Sequence, residues 1–344
     1  MSKNKLFLLY IAIFALFQGC ITNGLAQTPA SVQSIFEYLT QETAAKMTLE
    51  MDLTTLLANR NSEEYYPALL TLATGKSYQV KVRPKGKYRR KVAEIPPLKV
   101  KFPKKTLQEE GLDTLNEFKL VLPCYDNFLG DELVVKEYLI YRMYEHLTPI
   151  SVRARLVKLT LRDTHVEKSR KTLFAILLED SEETVARLNG VETEQYGLPV
   201  DSMMVNQAAL VAMFEYMIGN TDWDVSMMRN VRLIRSNETA KVLLVPYDFD
   251  FSGLVSAPYA SPSSESGLLT VRDRFLMANG IPLEALRRAT RALRLAKDEF
   301  YAICQSKYLS REASAQMVEY LDTFYRQIDS KDEVPVRMKV PVSE

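Results

Sequence analysis

Apolar and polar side chains alternate over residues 47–53, over 78–83 and through Leu98-Lys99-Val100-Lys101-Phe102. That period of two predicts strands with one buried face, and together they predict an antiparallel sheet with a basic outer face. Phe118-Lys119-Leu120-Val121-Leu122 reads as a further strand, apolar except for one lysine. Residues 152–161 and 173–178 read as two more, joined by a basic turn at 165–171. Helical spacing appears at 31–46, where Ser31 is the expected cap and Ile35, Phe36 and Leu39 share a face. It returns at 131–146, with Val135, Leu139, Met143 and Leu147 four apart as a buried stripe. From Glu182 the pattern is mainly helical: 203–218 places Leu210, Phe214 and Met217 on one side, and 282–304 and 310–327 read as closing helices. A sheet-rich first half followed by a helical second half predicts an α+β fold. No internal repeat is visible.

Composition narrows the class. The 344 residues are 47% hydrophobic and 25% charged, enough for one two-lobed domain or two small ones. A net charge of +1 gives no global field toward nucleic acid or an anionic membrane. Lys3 and Lys5 precede an apolar run at 6–17, and Gly24-Leu25-Ala26 supplies small residues before Gln27. This reads as a signal peptide, 1–26, of a periplasmic or secreted protein. The run is shorter than the ~20 apolar residues of a membrane-spanning helix. Cys20, after Gly19, offers a lipoprotein site as the alternative, which Phe17 and Gln18 fit poorly. The remainder divides into a sheet-rich part at 27–180, a helical part at 181–330 and a tail at 331–344 that lacks periodicity.

Beyond the signal, Cys124 and Cys304 either pair in an oxidising compartment or are separate buried thiols. With only His146 and His165 and no Cys-x-x-Cys, zinc chemistry and a Ser-His-Asp mechanism have little support. His146 falls at a helix end, where it suits the helix dipole.

The densest chemistry lies at 219–253. Gly219-Asn220-Thr221-Asp222-Trp223-Asp224 is followed by Arg229-Asn230, an apolar strand at 231–234, and Pro246-Tyr247-Asp248-Phe249-Asp250-Phe251-Ser252-Gly253. Taken singly, Asp and Asn at such places are common turn and cap residues. Taken together they have the order of parts that metal-assisted phosphoryl transfer uses, a carboxylate to orient a hydroxyl and oxygen ligands for the ion. Asp222 is the candidate base. Asn230 and Asp248 are hard oxygen ligands suited to Mg²⁺ or Mn²⁺, and Asp250, two residues on, is a third ligand position. Asp248-Phe249-Asp250 also fits the Asp-x-Asp metal site of a glycosyltransferase.

At these residues the chain resembles the CotH-like (spore-coat protein H type) atypical kinases and, more distantly, HipA-like kinases. Asn220-Thr221-Asp222, Asn230 and Pro246-Tyr247-Asp248-Phe249-Asp250 match their pattern. A weaker likeness extends upstream through 83–89, 97–102 and 174–179. The resemblance implies a two-lobed protein-kinase-like fold, with an antiparallel-sheet N-terminal lobe and a mainly helical C-terminal lobe. It also implies an ATP-dependent phosphotransferase acting on a protein or small-molecule hydroxyl. Two departures stand out. Asn230 lies eight positions after Asp222, where a kinase catalytic loop leaves five, so either the loop bulges or Asp224 is the base. No Gly-x-Gly-x-x-Gly loop exists, so side chains must hold the phosphates.

Those side chains have candidates. Between Lys81 and Lys105 stand eleven Lys or Arg against one acid, Glu94. Arg83 and Lys85 read as a phosphate cradle, or as a solvated face that protects a sheet edge. Lys119 is the candidate for a kinase strand lysine, with Glu132 or Glu137 as partner and Lys101 as rival. Glu179, at a strand end, either meets a nucleotide edge or ends the strand. Residues 256–267 form a Pro/Ser-rich loop suited to a lid or a connector. Trp223 packs the loop. Arg287, Arg288, Arg291 and Arg294 form a basic helix face. The alternative to an enzyme is an inactive, exported kinase-like binding or scaffolding protein with a structural cation at Asp248 and Asp250.

Overall fold

The computed structural model describes residues 32–41, 44–167 and 169–329. The expected signal 1–26 with Cys20, Ser31 and the tail 331–344 lie outside these residues. From Ser34 onward the described residues form one compact unit, mixed α and β, with two apolar cores.

The first core fills a barrel. Strands β1 (Ala45–Met51), β2 (Tyr66–Leu72), β3 (Ser77–Pro84), β4 (Leu98–Lys101), β5 (Glu117–Val121), β6 (Ala154–Asp163) and β7 (Arg170–Glu179) close in the order β1-β2-β3-β4-β5-β7-β6. The sheet expected to be antiparallel is so in every pairing but one, and it closes on itself. Its closure is the parallel pairing of β1 with β6, from Ala45 opposite Val157 to Met51 opposite Asp163. Closure gives both edge strands a partner, which an open sheet leaves exposed. The alternation read from sequence still sets the faces. Leu49, Leu70, Val82, Val100, Phe118, Leu159 and Leu177 point into the barrel, and in a barrel this small side chains fill the interior. Lys81, Lys99, Lys101 and Lys119 alternate with buried neighbours and lie outside it.

The second core lies on the outer face of β6 and β7, where Leu156, Ile176 and Leu178 join the helix Phe128–Leu147. That helix is covered by the barrel on one side and by the helical half on the other. Its buried set is therefore wider than the expected stripe and includes Glu137, Tyr138, Tyr141 and Tyr144 beside Val135, Leu139 and Met143. The helix Val205–Ile218, with eleven buried residues, and the helices Leu283–Leu295, Lys297–Cys304 and Arg311–Asp329 complete this half. A small sheet accompanies them, with β9 (Val231–Ser236) between β8 (Gly190–Glu192) and β10 (Val242–Pro246).

The helix expected at 31–46 is only Ile35–Leu39. Ser34 caps it, in a reciprocal capping box with Glu37, and the chain is already extended at Ala45. Cys124 and Cys304 are separate buried thiols. No helix of the described residues is long and apolar enough to cross a membrane.

Candidate functional site

Helix Val205–Ile218 ends in a Schellman motif. Gly219 adopts φ +68°, its N–H bonds to Tyr216 O, and the Asn220 N–H bonds to Glu215 O. A Cβ at residue 219 would lie 2.0 Å from the Tyr320 hydroxyl, so the turn requires glycine. The motif turns the chain sharply into Asn220, whose buried Oδ1 accepts the Asp222 N–H at 2.9 Å.

The unusual spacing between Asp222 and Asn230 is absorbed by a small closed loop. Asp224 and Arg229 exchange two backbone hydrogen bonds of 2.9 Å, and Asp224 Oδ1 accepts the Met227 N–H at 2.8 Å. The chain therefore doubles back and brings Asn230 onto Asp222. Asn230 Nδ2 donates to the Asp222 carbonyl at 2.6 Å and to its carboxylate at 2.9 Å, and Arg229 lies 3.5 Å from the same carboxylate. Of the two candidate bases, Asp222 stands at this junction while the Asp224 carboxylate holds the turn.

Asn230 and Asp248 both have left-handed backbones, φ +53° and +67°. Such backbones cost of order 1–3 kcal/mol and persist where surroundings over-determine them. Here they do: Tyr247 N–H donates to Asn230 O at 3.0 Å, at the end of the β9–β10 ladder, and Asp248 N–H donates to the Tyr141 hydroxyl at 2.8 Å. Asp248, two residues before Asp250, thereby enters an acidic cluster. Ligand oxygens of Glu137, Asp248 and Asp250 lie within 4.8 Å of one another. Glu137 is fully buried and Asp250 nearly so.

One cation sits within that cluster. Arg89, from the short helix Arg89–Val92 after β3, places Nε 2.9 Å from Asp250 Oδ2 and an Nη 2.6 Å from Glu137 Oε2. Burial raises the carboxyls of Glu137 and Asp250, the neighbouring acids add to the rise, and Arg89 opposes it. Nothing in the sequence separates Arg89 from Arg90 beside it, which instead pairs with Glu63.

Lys119 does not pair with either expected glutamate. Its Nζ lies 3.8 Å from Asp248 Oδ1, Glu137 holds Arg89, and Glu132 accepts the Ser310 N–H. Lys119 stands opposite Lys99 in the β4–β5 register, and the two join Lys85 on one wall of a cleft of about 370 Å³. Burial lowers the Lys85 pKa, and the positive neighbours Arg83, Lys99 and Lys119 lower it further. The other walls are Val152, residues 178–181, 192–194, Met228, 231–233 and Tyr247. Arg83 and Lys101 do not line the cleft. Arg83 pairs with Glu63 and Lys101 with Glu117. Glu179 lines it, but its buried carboxylate is taken by Arg153 and Arg187, both at 2.9 Å. A third role for that residue thus emerges, as the anchor of two arginines. Trp223 packs in the second core.

Burial pushes the Asp222 carboxyl up to about 6; Asp248 and Asp250 add to the rise, while Arg229 and Asn230 hold it down. An acid whose folded pKa exceeds its unfolded value of 3.8 binds more protons when folded, so its contribution to stability falls as pH rises between these values. Asp222→Asn is therefore expected to be more stable than wild type at pH 7.5 and to lose that advantage by pH 4. Urea unfolding of both proteins in chelator checks this; a variant less stable than wild type at pH 7.5 contradicts it. Beneath this loop Glu215 is also fully buried, and burial pushes its carboxyl up to about 8.

No protein-family model and no curated protein matches the chain, so the CotH-like and HipA-like resemblance stands on the motifs alone. Among solved structures, the chain is similar to a Helicobacter pylori proinflammatory kinase, CtkA, at 8% identity over 63% of this chain and 89% of that one, with a TM-score of 0.37. It is also similar to the Rio2 kinase of Chaetomium thermophilum, solved with ADP, Mg²⁺ and phosphoaspartate, at 8% identity over 81% and 76% of the two chains, with a TM-score of 0.25.

Proposed function

We propose that this chain is an exported, metal-dependent phosphotransferase of the CotH-like kinase type. It takes ATP in the lysine-walled cleft and transfers the terminal phosphoryl group to a hydroxyl of a protein or small molecule. The observation that carries this reading is the closed loop that sets Asp222 against Asn230, together with the 3.8 Å approach of the cleft lysine Lys119 to Asp248, whose chain neighbour Tyr247 lines the cleft as Met228 and Val231 do beside Asn230. Packing alone does not call for that convergence of groups.

The donors fit a hard cation. Both Asn230 Nδ2 contacts go to Asp222, which leaves its amide oxygen free to join an Asp248 carboxylate oxygen as ligand. Mg²⁺ or Mn²⁺ bound there neutralises charge on the phosphates. Lys85 and Lys119 supply positive charge on the wall that a glycine-rich loop provides elsewhere, and Lys99 beside them is paired with Glu117 and Asp180. Asp222 orients the acceptor hydroxyl and takes its proton. The hydroxyl oxygen bonds to the γ-phosphorus, the bond to the bridging β,γ-oxygen breaks, and ADP leaves.

Thermal unfolding of the full chain with Mn²⁺ and ATP tests the reading. A ligand at 100 times its Kd adds about 2.7 kcal/mol to the folded state, a shift of several degrees. Wild type is expected to show it with both ligands present and Asp248→Asn to lose it. No shift in a folded wild type removes the kinase reading. A shift without turnover on any acceptor is the result expected of an inactive kinase-like binding protein.

A further inference from the structure

The acidic cluster contains three carboxylates but not three free ligands. Arg89 takes one oxygen of Asp250 and one of Glu137. Its guanidinium is over nine-tenths buried, so it is a fixed part of the site. Only Asp248 is free of it, and only Asp248 has the cleft lysine for a neighbour.

We infer that Arg89 is a built-in counter-cation that fills the second cation place of this cluster, so that the site takes a single metal ion, on Asp248 and Asn230. Asp250 and Glu137 then serve as the counter-ions of Arg89. The Asp-x-Asp spacing divides its two acids between a mobile divalent cation and a permanent guanidinium. Glu137 Oε1 has no hydrogen-bond partner, and neither has one Arg89 Nη. With Arg89 in place its charge already lies against Glu137 through Oε2, so Oε1 becomes a ligand for an ion only in a chain that lacks the guanidinium.

Charge supports the same division. Three carboxylates opposed by Arg89 and Lys119 leave one negative charge before any ion enters. One divalent ion turns that into one positive charge, ready for a polyphosphate, whereas a second would sit beside a guanidinium that cannot lose its proton. Arg89 also ties three segments of the fold to the site at once: the β3–β4 connection, the long helix through Glu137 and the loop after β10 through Asp250. The cation that a metal would supply only when bound is thereby present in the folded chain from the start.

The inference rests on the phosphotransferase reading only for the kind of ion, so its test uses Mn²⁺ alone and fails independently of any ATP experiment. Metal-stripped full chain is titrated with Mn²⁺ and free ion is read by electron paramagnetic resonance. Wild type is expected to bind one Mn²⁺, Asp248→Asn none, and Asp250→Asn one, with affinity within about threefold of wild type. Arg89→Met is expected to bind two, with a larger Mn²⁺-induced rise in Tm than wild type, because an ion then occupies the vacated place. Two ions in wild type, none in wild type, a tenfold or greater loss in Asp250→Asn, or a single ion in folded Arg89→Met would each overturn it. If Arg89→Met does not fold, the wild-type count and the Asp250→Asn affinity decide.

Discussion

Arg89→Met is expected to lower the stability of the metal-free protein by about 3–5 kcal/mol, the usual cost of removing one partner from a buried ion pair. The reason is local. Glu137 is fully buried and Asp250 is 4% exposed, so neither carboxylate reaches water when the guanidinium is gone. Both must then bind a proton or remain as uncompensated charge. Adding Glu137→Gln and Asp250→Asn to Arg89→Met is expected to recover most of the loss, since the penalty lies in the orphaned charges and not in the missing contact area. Chemical denaturation of the single and triple variants in chelator, at pH 7.5, measures both numbers. A single variant within about 1 kcal/mol of wild type contradicts the buried bridge, because that is the range of an exposed pair.

Asp222→Asn is expected to reduce phosphoryl transfer by about 10²- to 10⁴-fold, the usual contribution of a positioned general base. The amide keeps the size of the side chain and an oxygen for the Asn230 Nδ2 donor but cannot accept the hydroxyl proton. Metal and nucleotide binding, which the proposed function assigns to Asp248, Asn230 and the cleft lysines, should remain. Single-turnover consumption of ATP, beside the Mn²⁺ and ATP thermal shift, separates the two properties. Full activity in this variant excludes Asp222 as base. Asp224→Asn serves as the control: its carboxylate caps the turn at Met227, so it should perturb the loop without removing a proton acceptor.

The legible parts of this molecule were those with a strong local period. Alternation at Leu98-Lys99-Val100-Lys101 marked β4, and the four-residue spacing of Val135, Leu139 and Met143 marked the long helix. Strand β2 shows no clear period, because Leu69 and Pro67 occupy outward positions and blur the alternation that Ala68 and Leu70 carry. The short helices Leu53–Ala58 and Lys104–Glu109 are too brief to show a period. In the candidate site, the sequence singles out Asp222, Asn230, Asp248 and Asp250 by residue type and order, and the structure brings Asp222 against Asn230 and Asp248 beside Asp250. The partner of Lys119 is not legible in the sequence, because pairing depends on where a strand faces a helix: Lys119 meets Asp248, and Glu137 is held by Arg89.

By itself, then, the sequence determined the elements of strong period, their buried faces and a short list of oxygen-bearing residues, since all three follow from side-chain type and spacing along one segment. Only the tertiary structure decided that β1 and β6 close a barrel, that the Asp224–Arg229 bridge folds eight residues back onto Asp222, and that one arginine among eleven basic residues lies buried between Glu137 and Asp250. Each of these is a contact between segments distant in the chain or a detour within a loop. Its energy comes from desolvation and charge in a shared interior, and those quantities exist only once the chain has folded.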